Sequence, residues 1–127
     1  MTAEKPKILI VDDRIENLVA LERTLEELNL EFVRATSGNE AVFKAMENKF
    51  ALILIDVQMP EMDGFEAVEY IRKEPQNLHI PIIFISAIYR DDVYKVKGFK
   101  AGAVDFITKP INESVPVSYT HLTLPTT

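Results

Sequence analysis

ALILIDVQMPEMDGFEAVEYI, residues 51–71, decides the fold. Ala51 to Asp56 is a continuous run of leucine, isoleucine and alanine closed by a carboxylate. A run without polar alternation is how a strand buried on both faces of a parallel sheet reads. Asp63-Gly64-Phe65-Glu66 then sets a glutamate three residues after a capping aspartate, which opens a helix carrying Phe65, Val68 and Ile71 on one stripe. A buried strand, a short loop and an amphipathic helix make half of a βαβ unit.

The pattern repeats outward in both directions. Lys7 to Asp12 (KILIVD) and Pro81 to Ser86 (PIIFIS) are apolar runs of the same kind, and Val104 to Thr108 (VDFIT) is a fifth strand. Glu31 to Ala35 (EFVRA) carries Glu31 and Arg34 and suits an edge position, where charge discourages further pairing. Between them, Arg14 to Leu28 places Leu18, Leu21, Leu25 and Leu28 at helical steps. Ser37-Gly38-Asn39-Glu40 has the capping-box spacing ahead of Ala41, Val42, Ala45 and Met46. Asp91 and Asp92 begin a shorter helix with Val93, Val96 and Phe99 that ends near Gly98 or Gly102. Strict alternation of strand and helix predicts an α/β, doubly wound, five-stranded parallel sheet with right-handed crossovers.

Composition narrows the chemistry. The chain has 127 residues, 47% hydrophobic, with 20 acidic and 14 basic side chains and a net charge of -6. That is enough chain to bury a core as one domain, and too apolar for disorder. The acidic balance argues against direct nucleic-acid binding. With no cysteine, thiol catalysis and zinc-thiolate sites are excluded, and two histidines supply little for histidine metal sites or Ser-His-Asp catalysis. The start Met1-Thr2-Ala3-Glu4-Lys5 is polar and no apolar run approaches membrane-spanning length, so a cytoplasmic location away from membranes is expected.

In this architecture ligands gather beyond the carboxyl ends of the strands. The residues expected there are Asp12 and Asp13, Asp56, Ser86, and Thr108-Lys109-Pro110. Three carboxylates about 4 Å apart at an effective dielectric near 20 repel with about 4 kcal/mol per pair. A divalent cation relieves that repulsion, and an all-oxygen donor set favours Mg2+. Mg2+ in turn leaves room for a phosphoryl oxygen, with Lys109 as a further positive charge and Ser86 as a hydrogen-bond donor. One carboxylate can then act as the nucleophile toward phosphorus. Taken singly, each residue has a plainer use: Asp13 or Asp56 as a helix cap or turn residue, Ser86 in a turn, Lys109 as a solvated charge, Phe106 in the core. Their convergence on one rim favours the phosphoryl chemistry. Neither GxxxxGK[ST] nor GxGxxG occurs, which leaves P-loop and dinucleotide folds unsupported. A haloacid-dehalogenase-type phosphatase would need a second aspartate two positions after Asp56, where Gln58 stands.

ILIVDDRIENL, LILIDVQMPEMDGFE, PIIFISA and AGAVDFITKP, in that order, resemble the receiver domain of response regulators in bacterial two-component signalling. The resemblance covers residues 6–115 and implies the flavodoxin-like strand order 2-1-3-4-5. It implies Asp56 as phosphoacceptor, with Mg2+ held by Asp12, Asp13, Asp56 and the backbone carbonyl of Gln58. Lys109 would pair with the phosphoryl group, Ser86 would be the switch hydroxyl, and Phe106 the switch aromatic. The implied function is a switch that takes its phosphoryl group from a histidine kinase or phosphotransfer protein and changes its helix 4 and strand 5 face. It would modify and slowly dephosphorylate itself rather than act as a turnover enzyme. The DDRIENL start resembles receivers fused to sensor kinases or other signalling modules, so a fused output or kinase domain in the parent is implied as well. The alternative is a pseudo-receiver or fragment that binds partners in one conformation without phosphorylation.

The end of the sequence departs from this pattern. No charged residue lies beyond Glu113, and Pro116 to Thr127 hold four of the eight threonines. Val117 to Thr126 resembles a sequencing adapter translated in frame. The expectation is a receiver domain over residues 1–115, a non-native tail over 116–127, and a fifth helix truncated or replaced. Loss of that helix would bare apolar surface beside the first helix and favour self-association.

Overall fold

The computed structural model describes residues 5–86 and 105–108. Five strands form one parallel sheet: β1 (Lys7–Val11), β2 (Glu31–Ala35), β3 (Leu52–Asp56), β4 (Ile82–Ser86) and β5 (Asp105–Thr108), in the order β2-β1-β3-β4-β5. Among the described residues, three α-helices lie between the strands, α1 (Ile15–Thr24), α2 (Gly38–Glu47) and α3 (Gly64–Arg72). The expected fold class and strand order are therefore present, with β2 at the edge. The expected helix from Asp91 and the fifth helix lie outside the described residues.

The continuous apolar runs explain the layering. Side chains alternate across a strand, so Leu9, Val11, Ile53, Ile55, Ile82 and Phe84 enter one core with Ala41, Ala45, Val68 and Ile71 from α2 and α3. Ile8, Ile10, Leu54 and Ile85 enter a second core on the opposite face with Leu18 and Leu21 of α1. Phe65 at the start of α3 packs on Phe84 with ring centroids 4.7 Å apart. A sheet covered on both faces must use apolar residues at successive positions, which is the pattern seen in the sequence.

Helix limits differ from the expectation in two places. The stripe from Leu18 to Leu28 is interrupted: α1 ends at Thr24, a single 3-10 turn spans Glu26–Leu28, and Leu28 is exposed. Asn29 then adopts a left-handed conformation (φ 58°), and Glu31 N–H bonds to Pro6 O at the start of the β1–β2 pairing. The chain must turn within two residues to enter β2, and that turn takes Leu28 off the buried face. In α2, Ala41 and Ala45 are buried but Met46 is exposed, because the helix meets the sheet through its small residues.

Capping follows the sequence signals closely. Ser37 accepts from Glu40 N–H, while the Glu40 carboxylate accepts from Thr36 N–H rather than closing a reciprocal box. Asp63 and Glu66 form the full box, each side chain accepting from the other's backbone N–H. At the edge of the sheet, Arg34 of β2 donates to Glu22 of α1 at 2.7 and 2.8 Å, and this hydrogen bond holds the Glu22 carboxyl below its usual range.

Arg72 closes the far end of α3. Its Nη1 donates to the carbonyls of Asn77, Leu78 and Ile80 at 2.9, 3.0 and 2.9 Å, and partial burial pushes its guanidinium below the usual arginine value. The buried Asn77 donates from Nδ2 to Ile71 O. One cation thus satisfies three carbonyls in the turn that leads into β4. Removing it leaves them without that donor, so Arg72→Ala is expected to lower stability by about 2 kcal/mol. Urea unfolding measures this, and an unchanged midpoint would mean that solvent replaces the guanidinium fully.

Candidate functional site

The first and third strands deliver two aspartates to the same rim. Asp12 follows β1 directly and Asp56 is the last residue of β3. The ladder extends past each strand end: Asp12 N–H bonds to Ala35 O at 3.1 Å and Val57 N–H to Ile85 O at 3.0 Å. Both carboxylates therefore sit on backbone fixed from two sides. Asp12 is 1% exposed and Asp56 3% exposed, whereas Asp13 is open to solvent. One carboxylate oxygen from each of the three lies within 4.8 Å of the others.

The loop after β3 is pressed against the site. Gly64 N–H donates to Val57 O at 2.8 Å, and a Cβ on Gly64 would lie 2.3 Å from the backbone oxygen of Asp56. Only glycine allows the start of α3 to come this close to the phosphoacceptor candidate. Within the loop, Glu61 adopts a positive φ of 71° and Met62 N–H donates to Pro60 O. Met59 is buried in the core and Met62 packs at its margin, consistent with gap filling. Gln58 is exposed in the same loop, two residues beyond Asp56.

On the other side of the rim, α1 begins without a side-chain cap. Its N-cap residue is Arg14, so Asp13 does not fill that role. The Asp12 carboxylate instead accepts from Arg14 N–H at 3.0 Å and from the Asn17 side chain. Arg14 itself turns outward to Glu16, whose hydrogen bond raises the guanidinium above the usual arginine value. Asn17 is a site residue that the motif reading missed. Its position five residues after Asp12, in the first turn of α1, is the signal that points to it.

The remaining candidates are placed by backbone alone or not at all. Asp56 pairs with Ile85, so Ser86 follows one residue further along β4, paired with Thr108 of β5. Phe106 pairs with Phe84. Lys109, next after β5, lies outside the described residues, as do Pro110 and residues 116–127.

The donor set fits a hard divalent cation. Three carboxylate oxygens close enough for one ion to bridge, with no cysteine in the chain and His79 exposed elsewhere, match the oxygen-only preference of Mg2+. Two of the three carboxylates are buried and, without a cation, would repel in a region of reduced dielectric. Among the described residues, no helix is long and apolar enough to cross a membrane.

A parallel sheet in this order with an aspartate trio at its carboxyl edge defines a class, and sequence comparison agrees. A family profile described as the response regulator receiver domain matches residues 8–118, and the chain belongs to that family. It is 40% identical over 106 residues to the transcriptional regulatory protein SrrA of Staphylococcus aureus, covering 84% of this chain and 42% of SrrA. The chain thus spans about two-fifths of the length of that relative. Among solved structures, the chemotaxis protein CheY4 of Vibrio cholerae is similar with a TM-score of 0.83 and 31% identity, over 93% of this chain and 98% of that one. The receiver domain of the sensor histidine kinase PA1611 of Pseudomonas aeruginosa aligns with a TM-score of 0.78 and 26% identity, over 91% and 94% of the two chains. That structure has a magnesium ion coordinated in its active site cleft.

Proposed function

We propose that this chain is a phosphorylation-activated signalling switch whose acceptor is Asp56. The observation that carries the reading is the trio of Asp12, Asp13 and Asp56, brought together at the carboxyl edge of the sheet. Membership of the receiver family supports it. Asp12, Asp13, Asp56 and the backbone carbonyl of Gln58 would hold Mg2+, which neutralises charge on the carboxylates and on an incoming phosphoryl group.

The chain's own residues then have separable tasks. An Asp56 carboxylate oxygen forms a bond to phosphorus as the P–N bond of a kinase's phosphohistidine breaks, and the departing imidazole nitrogen takes up a proton. Burial of Asp56 keeps bulk water from crowding the acceptor oxygen. Lys109 is assigned to pair with the phosphoryl oxygens. The Ser86 hydroxyl is assigned to donate to them, supported by its place one residue past the partner of Asp56. Phe106 on the neighbouring strand is assigned to relay the change to the face around β5. Water later hydrolyses the acyl phosphate, which makes the protein a switch and not a turnover enzyme.

The partners proposed are a histidine kinase or phosphotransfer protein and, in the parent protein, a fused output or kinase domain. SrrA is a transcriptional regulatory protein and PA1611 a sensor histidine kinase, so domains similar to this one occur with both kinds of neighbour. A cytoplasmic setting accords with that role. We further propose that the receiver domain comprises residues 1–115 and that residues 116–127 are foreign to it, on the strength of their composition. The family match itself runs to residue 118. Sequencing the source locus tests the boundary: genomic DNA that encodes the same tail contradicts it.

The switch reading is tested by incubating the chain with Mg2+ and a small-molecule phosphodonor and weighing the intact protein. Wild type is expected to gain one phosphoryl group and Asp56→Asn none. An unmodified wild type favours the phosphorylation-independent binding module instead, and an undiminished adduct on Asp56→Asn removes Asp56 as the acceptor.

A further inference from the structure

The orientation of Asp12 is set from the first turn of α1. Asn17 Nδ2 lies 3.1 Å from Asp12 Oδ1 and 3.2 Å from Oδ2, so one carboxamide spans both oxygens of a carboxylate that is 1% exposed. Arg14 N–H adds a third contact, to Oδ1 at 3.0 Å. A terminal sp3–sp2 torsion such as the aspartate χ2 has broad wells. Donors on both oxygens narrow them and fix the plane in which the carboxylate presents itself.

The same contacts fasten the helix. Arg14, the N-cap residue of α1, offers no side-chain acceptor to the first turn. Asn17, the third residue of the helix, reaches back past the cap to Asp12, and Asp12 accepts from the cap's own N–H. The beginning of α1 and the carboxylate on the sheet are thus one hydrogen-bonded unit.

We infer that Asn17 is a positioning residue for the cation site, holding the Asp12 carboxylate in the plane from which it joins Asp13 and Asp56. The inference rests on the metal-binding part of the proposed function and extends it to a side chain outside the trio. A carboxamide suits the task because it donates to both oxygens while remaining neutral. A lysine or arginine in its place would compete with a cation for the same carboxylate. Ligating carboxylates are commonly oriented by such hydrogen-bonded partners, and loss of the partner weakens metal affinity about tenfold or more.

The test is a titration of the full chain with Mn2+, a spectroscopically visible substitute for Mg2+, following the free ion by electron paramagnetic resonance. Asn17→Ala is expected to weaken Mn2+ binding about tenfold. Asn17→Leu, which keeps the branched side-chain shape but cannot donate, is expected to give the same loss and guards against a packing defect in the alanine variant. Ala20→Gly serves as the comparison: Ala20 lies in the interior of α1 and its methyl group offers no donor to Asp12. That variant loosens the helix, because glycine costs about 1 kcal/mol relative to alanine in a helix interior, and should leave the affinity as it is. Equal affinity in wild type and the Asn17 variants overturns the positioning role alone. An equal loss in Ala20→Gly reduces the effect to helix stability and overturns it too. Absence of Mn2+ binding by wild type overturns both this inference and the metal-dependent reading on which it rests.

Discussion

Without divalent cations, Asp56→Asn is expected to unfold at a higher urea concentration than wild type. The wild-type rim holds three carboxylate oxygens within 4.8 Å, two of them on buried residues. At that separation and an effective dielectric near 20, a pair of like charges costs about 3 kcal/mol. Asparagine matches aspartate in shape and removes two of the three repulsive pairs. Exposure of Asp13 and screening by salt reduce the gain, and a net stabilisation of about 1 to 3 kcal/mol remains at low ionic strength. Addition of Mg2+ should then stabilise wild type more than the variant, because only a state that binds the ion gains from it. Equal or lower stability of Asp56→Asn in a chelator would show that the trio carries no stored repulsion. The substitution that removes the proposed acceptor would in that sense improve the fold.

Gly64→Ala is expected to have the opposite sign and a similar size. Helix propensity alone favours alanine over glycine by about 1 kcal/mol, which on its own would make the change at the first residue of α3 stabilising. The contact geometry opposes it. The added Cβ would meet the Asp56 backbone oxygen at 2.3 Å and the Asp56 carbonyl carbon and Val57 Cα at 3.1 Å. All three are backbone atoms at the end of a central strand and cannot rotate away. The loop must move or Asp56 must, and overpacking of this kind costs about 3 kcal/mol. The expected result is a lower urea midpoint together with a smaller stabilisation by Mg2+, since the displaced backbone carries the Asp56 carboxylate of the trio. A variant as stable as wild type would show that α3 can shift outward freely, and that Asp56 is not held by the close approach of the helix.

These two effects show which parts of the molecule a reader of the sequence can reach. The strands were legible almost to the residue because a doubly covered parallel sheet needs unbroken apolar runs, and Leu52–Asp56 and Ile82–Ser86 are such runs. The Asp63–Glu66 capping box was legible because both partners lie within one turn. The aspartate trio was accessible for a related reason: the fold rule places strand ends together, and the residues at those ends carry the charge. Local pattern fails where the outcome depends on the path of the chain afterwards. Leu28 matches the helical stripe, yet the turn at Asn29 removes it from the core. Met46 continues an apolar pattern on a helix that docks through alanines. Arg72 reads as an ordinary surface cation, and its three carbonyl partners become visible only once the turn before β4 is folded around it. Asn17 is the same case at the site itself, a polar helix residue whose partner is five positions back across the end of a strand.

The central claim is that the trio of carboxylates makes Asp56 a cation-dependent phosphoacceptor. Its most direct measurement is peptide-level mass mapping of the wild-type chain after reaction with a small-molecule phosphodonor, once in Mg2+ and once in a chelator. The expected result is a single phosphoryl group on the peptide containing Asp56, formed in Mg2+ and absent in the chelator. A phosphoryl group on another peptide, or an equal yield in the chelator, would contradict it.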